Sequence, residues 1–105
     1  MTVISASTLT IKPDRYEDFV TLNKKTEAIM EKCGAKNVRL MAALVAGEAS
    51  GSAVFTYEAD DFGASGAVLD KFLADPEGLA LLTGSTGETS PTASFQASQW
   101  IEIPI

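Results

Sequence analysis

The stretch from Asn37 to Ala59 constrains this chain more than any other. Two apolar runs, Val38 to Ala46 and Ser52 to Glu58, flank Gly47-Glu48-Ala49-Ser50-Gly51. Glycines at both ends of a short polar segment permit the positive φ values a hairpin needs. The pattern therefore predicts two antiparallel strands. Pairing Ala46 with Ser52 would put residues of equal parity on one face. The even face would carry Val38, Leu40, Ala42, Leu44, Ser52, Val54, Thr56 and Glu58, and the odd face Arg39, Met41, Ala43, Val45, Ala53, Phe55 and Tyr57. A strand with one wet face alternates apolar and polar side chains. Here both faces are largely apolar, so both sides of the sheet need cover.

The flanks repeat one plan. Thr2 to Ile11, rich in Thr, Ser and Ile, reads as a strand. Pro13 suits the first position of a helix, with Asp14, Glu17 and Asp18 placing negative charge on its first turn. Tyr16, Phe19, Val20, Asn23, Thr26, Met30 and Cys33 then follow helical spacing, and Gly34 suits the stop. After the hairpin, Asp60 or Asp61 caps a second helix whose stripe is Phe62, Gly66, Leu69, Phe72 and Leu73. Asp75 and Pro76 break it and start a short helix from Glu77 to Leu82, ended by Gly84. Ser85 to Pro91 is a polar loop, expected to be the least ordered internal segment. Thr92 to Glu102 reads as the last strand, with Ala93, Phe95, Ala97 and Ile101 on one side and Ser94, Gln96, Ser98 and Trp100 on the other.

Composition limits the chemistry. The 105 residues suit a single domain spanning 1–105, with 46% hydrophobic residues to build its core. Fourteen acidic against eight basic residues, net −6, argue against nucleic acid and anionic membrane as partners. There is no histidine, which excludes Ser-His-Asp and Cys-His catalysis, His-ligated zinc and proximal-His haem. The lone cysteine, Cys33, can form no intrachain disulfide and reads as a buried thiol at a helix end. No apolar run approaches the length of a membrane helix, and Met1 to Thr10 lack the features of a signal peptide. The expectation is a cytoplasmic protein with neither metal nor cofactor.

The element order is β-α-β-β-α-β, which predicts an α+β, ferredoxin-like fold: an antiparallel four-stranded sheet with its helices on one face. The other face, expected to carry Val38, Leu40, Leu44 and Val54, is too apolar for water. A second copy of the sheet is the economical cover.

Ile11-Lys12-Pro13-Asp14 followed by a helix with Tyr16 and Phe19 resembles the strand-to-helix corner of the dimeric α+β barrel superfamily. The Gly47 to Gly51 segment leading into Phe55-Thr56-Tyr57-Glu58 is similar to its hairpin and third strand, and Leu73-Ala74-Asp75-Pro76-Glu77 to its helix break. That superfamily includes antibiotic-biosynthesis-type monooxygenases, muconolactone-isomerase-like and polyketide-cyclase-like enzymes, chlorite dismutases and NIPSNAP-like proteins. The resemblance implies a homodimer whose two sheets form a barrel, with a cavity on the face opposite the helices. The chain lacks the histidine of the haem-binding branches and the Asn-Trp-Trp set of the cofactor-free monooxygenases; its only tryptophan is Trp100.

Ile11 and Ala59 directly precede helices, and a side chain at such a corner tucks beneath the helix. Odd residues of the first and third strands, Leu9, Ile11, Phe55 and Tyr57, then face the helices. Ile4, Ala6, Thr8, Val54, Thr56 and Glu58 face the partner, joined by Gln96 and Trp100. In that hollow Glu58 is the candidate acid or base, since burial would raise its pKa towards neutrality. Thr8, Thr56 and Gln96 are candidates to orient a ligand carbonyl or hydroxyl, with Trp100 beside them. The bland alternatives are a solvated Glu58 at the barrel rim, or one paired with Arg39 or a partner lysine, and a Trp100 that packs the dimer. Gly47 and Gly51 read as turn glycines, and Asp60 and Asp61 as caps rather than a metal pair. Three functions stay open: a cofactor-free enzyme on a small apolar cyclic molecule, a non-catalytic binder of one, and a structural dimer with a filled barrel.

Overall fold

A computed structural model describes residues 1–43, 51–84 and 90–105. The elements are β1 (Val3–Ile11), α1 (Tyr16–Lys32), β2 (Lys36–Ala42), β3 (Ser52–Ala59), α2 (Phe62–Ala74), α3 (Pro76–Thr83) and β4 (Thr92–Ile101). The strands form one sheet in the order β2-β3-β1-β4, and every neighbouring pair is antiparallel. This is the ferredoxin-like arrangement the element order predicts.

The odd residues of β1 and β3 face the helices. Leu9, Ala53 and Phe55 join Phe19, Ile29, Met30 and Cys33 of the first helix and its cap, and Val68 and Phe72 of α2, in one core. Phe19, almost fully buried, anchors it. The hairpin pairing expected from the sequence is overturned. Leu40 lies opposite Phe55 and Met41 opposite Val54, so even residues of β2 share a face with odd residues of β3. Val38 and Leu40 pack on the helix-side core, and Arg39 and Met41 take the open face. Equal-parity pairing would have pointed Arg39 into the core, where an unpaired guanidinium is costly to desolvate. The ladder shifts between Lys36 and Arg39, where Asn37 sits at φ 53°. Leu44 and the turn from Gly47 to Ser50 lie outside the described residues.

The helix ends show which local signals act. Pro13 is not the first helical residue: Pro13 and Asp14 form a turn with Asp14 at φ 62°, and the helix begins at Tyr16. Aspartate is among the few side chains that tolerate the left-handed region. At the other end Gly34 adopts φ 99°, its N–H donating to the Glu31 carbonyl while the Ala35 N–H donates to that of Met30. These two bonds are a Schellman stop. Asp61 rather than Asp60 caps α2, accepting from the Ala64 N–H at 2.7 Å. Asp60 instead pairs with Lys36 at 2.8 Å. The buried stripe of α2 is Ser65, Val68 and Phe72, one residue round from the expected Phe62 and Gly66, which are exposed. Asp75 caps α3 through the Glu77 and Gly78 N–H groups. Of the loop before β4, residues 85–89 lie outside the description. Ser90 and Pro91, at the end of that loop, are buried: the Pro91 carbonyl accepts from Lys12 N–H, and Ser90 Oγ from Thr92 N–H.

Candidate functional site

All five residues singled out from the sequence lie on the sheet face turned away from the helices, spread over three rows. Thr8 pairs directly with Gln96 across β1 and β4. Thr56 stands in the Ala6 row, and Glu58 and Trp100 flank Ile4 from opposite sides. Four residues of strand separate the Thr8 row from the Ile4 row, roughly 13 Å at the rise of a β-strand. Within one chain, Glu58 and the Thr8–Gln96 pair therefore do not converge. Glu58 accepts a hydrogen bond from Asn37 Nδ2 at 2.6 Å, and Arg39 reaches the Asn37 amide oxygen at 3.5 Å. The side chain that makes the β2 irregularity thus also holds the carboxylate. Trp100 is 61% exposed, and its indole N–H donates to Ser98 Oγ at 2.8 Å.

A large hollow lies on the other side of the sheet. A cleft of about 690 Å³ opens between the sheet and the helices, within the range that holds small organic ligands. Its floor is the odd face of the sheet: Ser5, Ser7 and Leu9 of β1, Phe55 and Tyr57 of β3, Phe95, Ala97 and Gln99 of β4. Its roof comes from Leu22, Asn23, Thr26 and Met30 of α1, Leu69 and Phe72 of α2, and Leu81 and Leu82 of α3. Small side chains at Ser5, Ser7 and Ala97 leave volume that the helices above do not fill.

The lining is apolar with a few neutral polar groups. At one end Gln99 Nε2 donates to Ser5 Oγ at 3.3 Å and to Ser65 Oγ at 3.0 Å, and the two serine oxygens are 3.2 Å apart. One hydroxyl proton bridges the serines, which leaves the other free to donate. On the α1 wall, Asn23 Nδ2 donates to the Phe19 carbonyl at 2.9 Å and Thr26 Oγ1 to that of Leu22 at 3.1 Å. Among the described residues that line it there is no carboxylate, lysine or arginine; Tyr57 brings a phenol. Cys33 is buried at the end of α1. Among the described residues no three His, Cys, Asp or Glu side chains gather as a metal site, and no helix is long and apolar enough to cross a membrane. The signal for this cleft was present in the sequence: Asn23 and Thr26 interrupt the apolar stripe of their helix. They read as part of a packed stripe because nothing local shows that the stripe overhangs a hollow.

No protein-family model and no curated protein matches the chain. Solved structures do share its fold. A NIPSNAP family protein from Agrobacterium tumefaciens superposes with a TM-score of 0.78 at 8% identity, over 97% of this chain and 86% of that one. SnoaB, a cofactor-independent oxygenase from Streptomyces nogalater, gives 0.74 at 16% identity over 99% and 95%. A putative antibiotic biosynthesis monooxygenase from Bordetella bronchiseptica gives 0.72 at 12% identity over 98% of both chains. The resemblance found in the sequence motifs thus holds in the fold, which is all that likeness at these identities conveys.

Proposed function

We propose that this protein binds a small, uncharged, largely apolar cyclic molecule in the cleft between its sheet and its helices. The observation that carries this reading is the 690 Å³ hollow walled by Leu, Phe, Tyr and Met side chains, with neutral polar groups on two of its walls. Apolar walls with a few placed polar groups favour a ring system over a charged metabolite. Naphthalene-sized probes, followed by amide shifts in the protein's NMR spectrum, test it. The expected result is saturable shifts at Leu22, Phe55 and Tyr57, lost when Ala97→Phe fills the floor. Failure of every probe to shift those amides at millimolar concentration would overturn the reading.

A second reading adds catalysis without a cofactor, of the monooxygenase, isomerase or cyclase kind. It is favoured by the fold shared with SnoaB, described as a cofactor-independent oxygenase. In this reading Glu58, held by Asn37, is the proton-transfer group, and Thr8, Thr56, Gln96 and Trp100 form the ligand wall of a hollow closed by a second chain. Glu58→Gln keeps the shape and removes the titration. It should abolish turnover and leave binding near normal; full activity in that variant would remove Glu58 from the mechanism.

The proposed partner is a second copy of the chain, seated on the open sheet face. Ile4, Val54, Met41 and Trp100 make that face apolar, with Met41 44% exposed. An uncovered sheet face of this kind favours an interface. Two such sheets face to face would form the dimeric barrel.

A further inference from the structure

We infer that Asn23 reads a hydrogen-bond donor on the ligand, so that the cleft selects rings bearing an O–H or N–H group over the same rings without one. This rests on the reading of the cleft as a binding site and names the ligand chemistry it takes. Asn23 lies on the buried stripe of α1 and is only 7% exposed. Asparagine is a poor helix former in mid-helix, and a buried amide needs partners for both its ends. Only one end has them: Nδ2 donates back to the Phe19 carbonyl one turn earlier. The carbonyl oxygen Oδ1 takes no hydrogen bond among the described residues. Nor is it sealed from solvent, since no fully buried side-chain nitrogen or oxygen there lacks a partner. An unpaired yet reachable acceptor on a buried residue that lines the cleft has one direction left to face, which is into the cleft.

The bond to Phe19 fixes the orientation of the amide. With the NH₂ end turned to the helix backbone, the oxygen is held towards the ligand before anything binds. Such an acceptor is satisfied by a phenol or an amine and is left unpaired beneath an ether or a bare ring, and an unpaired buried polar group is costly. With Ser65 donating to Ser5, the Ser5 hydroxyl on the floor of the cleft offers the complementary donor. A neutral ring with a donor on one edge therefore matches Asn23.

Three probes of one ring system test this: 2-naphthol, which carries the donor, 2-methoxynaphthalene, which keeps the oxygen but not the donor, and naphthalene. The two controls bracket 2-naphthol in size. The wild-type protein is expected to bind 2-naphthol about five- to tenfold more tightly than either control, the contribution of one neutral hydrogen bond. In Asn23→Leu the three affinities should become nearly equal. Equal affinities in the wild-type protein would overturn the role of Asn23 while leaving the cleft a binding site, and so would a preference that survives in Asn23→Leu. If no probe binds, the cleft reading itself falls. Should Asn23→Leu fail to fold, the wild-type side-chain NH₂ resonances of Asn23 decide: they should move with 2-naphthol and stay with 2-methoxynaphthalene, and identical responses would count against the inference.

Discussion

At Gly78 the first turn of α3 lies against the end of α2 so closely that a Cβ there would collide with the Phe72 carbonyl oxygen and meet its carbon at 3.2 Å. Those are backbone atoms, which cannot turn aside as a flexible side chain can. Gly78→Ala is therefore expected to destabilise by on the order of 1–3 kcal/mol, the usual cost of overpacking, and a urea midpoint checks it. Asn23 predicts the opposite sign. Replacing a half-satisfied buried amide by leucine removes the unpaired acceptor and a weak helix former, so Asn23→Leu should gain about 1 kcal/mol and raise Tm by several degrees. Asp75 gives the pH dependence. The Gly78 N–H, followed by the Glu77 N–H and Lys32, holds its carboxyl below the ordinary value of 3.8. A carboxylate depressed on folding stabilises the protein above its unfolded pKa and loses that contribution as pH falls through the folded one. Asp75→Asn should therefore lower Tm at neutral pH, with the difference from wild type shrinking below about pH 4, where the unfolded-state aspartate itself protonates. A thermal melt series from pH 7 to pH 2 measures this.

At the scale of the element, β2 is the strand that assigns residues to the two faces. Its register with β3 sends Leu40 to the helices and Met41 to the open side. The two neighbours should then respond differently to one substitution. Leu40→Asp places an unpaired charge against the core and is expected to cost several kcal/mol and most of the folded population. Met41→Asp places the same charge on the uncovered face and should leave the individual chain folded. Circular dichroism on the two variants separates these outcomes; equal damage from both would mean the register is otherwise. The helices teach a related lesson. The rotation of α2 brings Ser65 rather than Gly66 under the sheet, and with it the hydroxyl that meets Ser5 and Gln99.

At the scale of the whole molecule, one sheet face carries the helices and the cleft, and the other carries Trp100, Met41, Ile4 and Val54 with no layer of the described residues over them. The proposed homodimer predicts a sedimenting mass of twice 11.1 kDa at micromolar concentration. Met41→Asp and Trp100→Glu should shift it to the single-chain mass while retaining secondary structure. A wild-type protein that sediments at 11.1 kDa would refute the dimer without touching the cleft, because the cleft is complete within one chain.

The element order, the sheet topology that follows from it, the cap at Asp75, the stop at Gly34 and the parity of β1, β3 and β4 were legible in the amino-acid sequence. These depend on short-range chemistry: turn residues, caps, the period of apolar side chains and the corner at which a strand enters a helix. The parity of β2 came only with the assembled sheet, because it follows from which residue the hairpin brings opposite Ala53: that residue is Ala42, where equal parity requires an odd-numbered one, and no local pattern shows it. Tertiary packing also decided where the hollow lies. Small side chains at Ser5 and Ser7 of β1 and at Ala97, distant in sequence on β4, leave a cleft only because β1 and β4 are neighbours beneath helices that do not descend onto them. A cavity is the volume that packing leaves over, and volume belongs to the assembled elements rather than to any one stretch of chain.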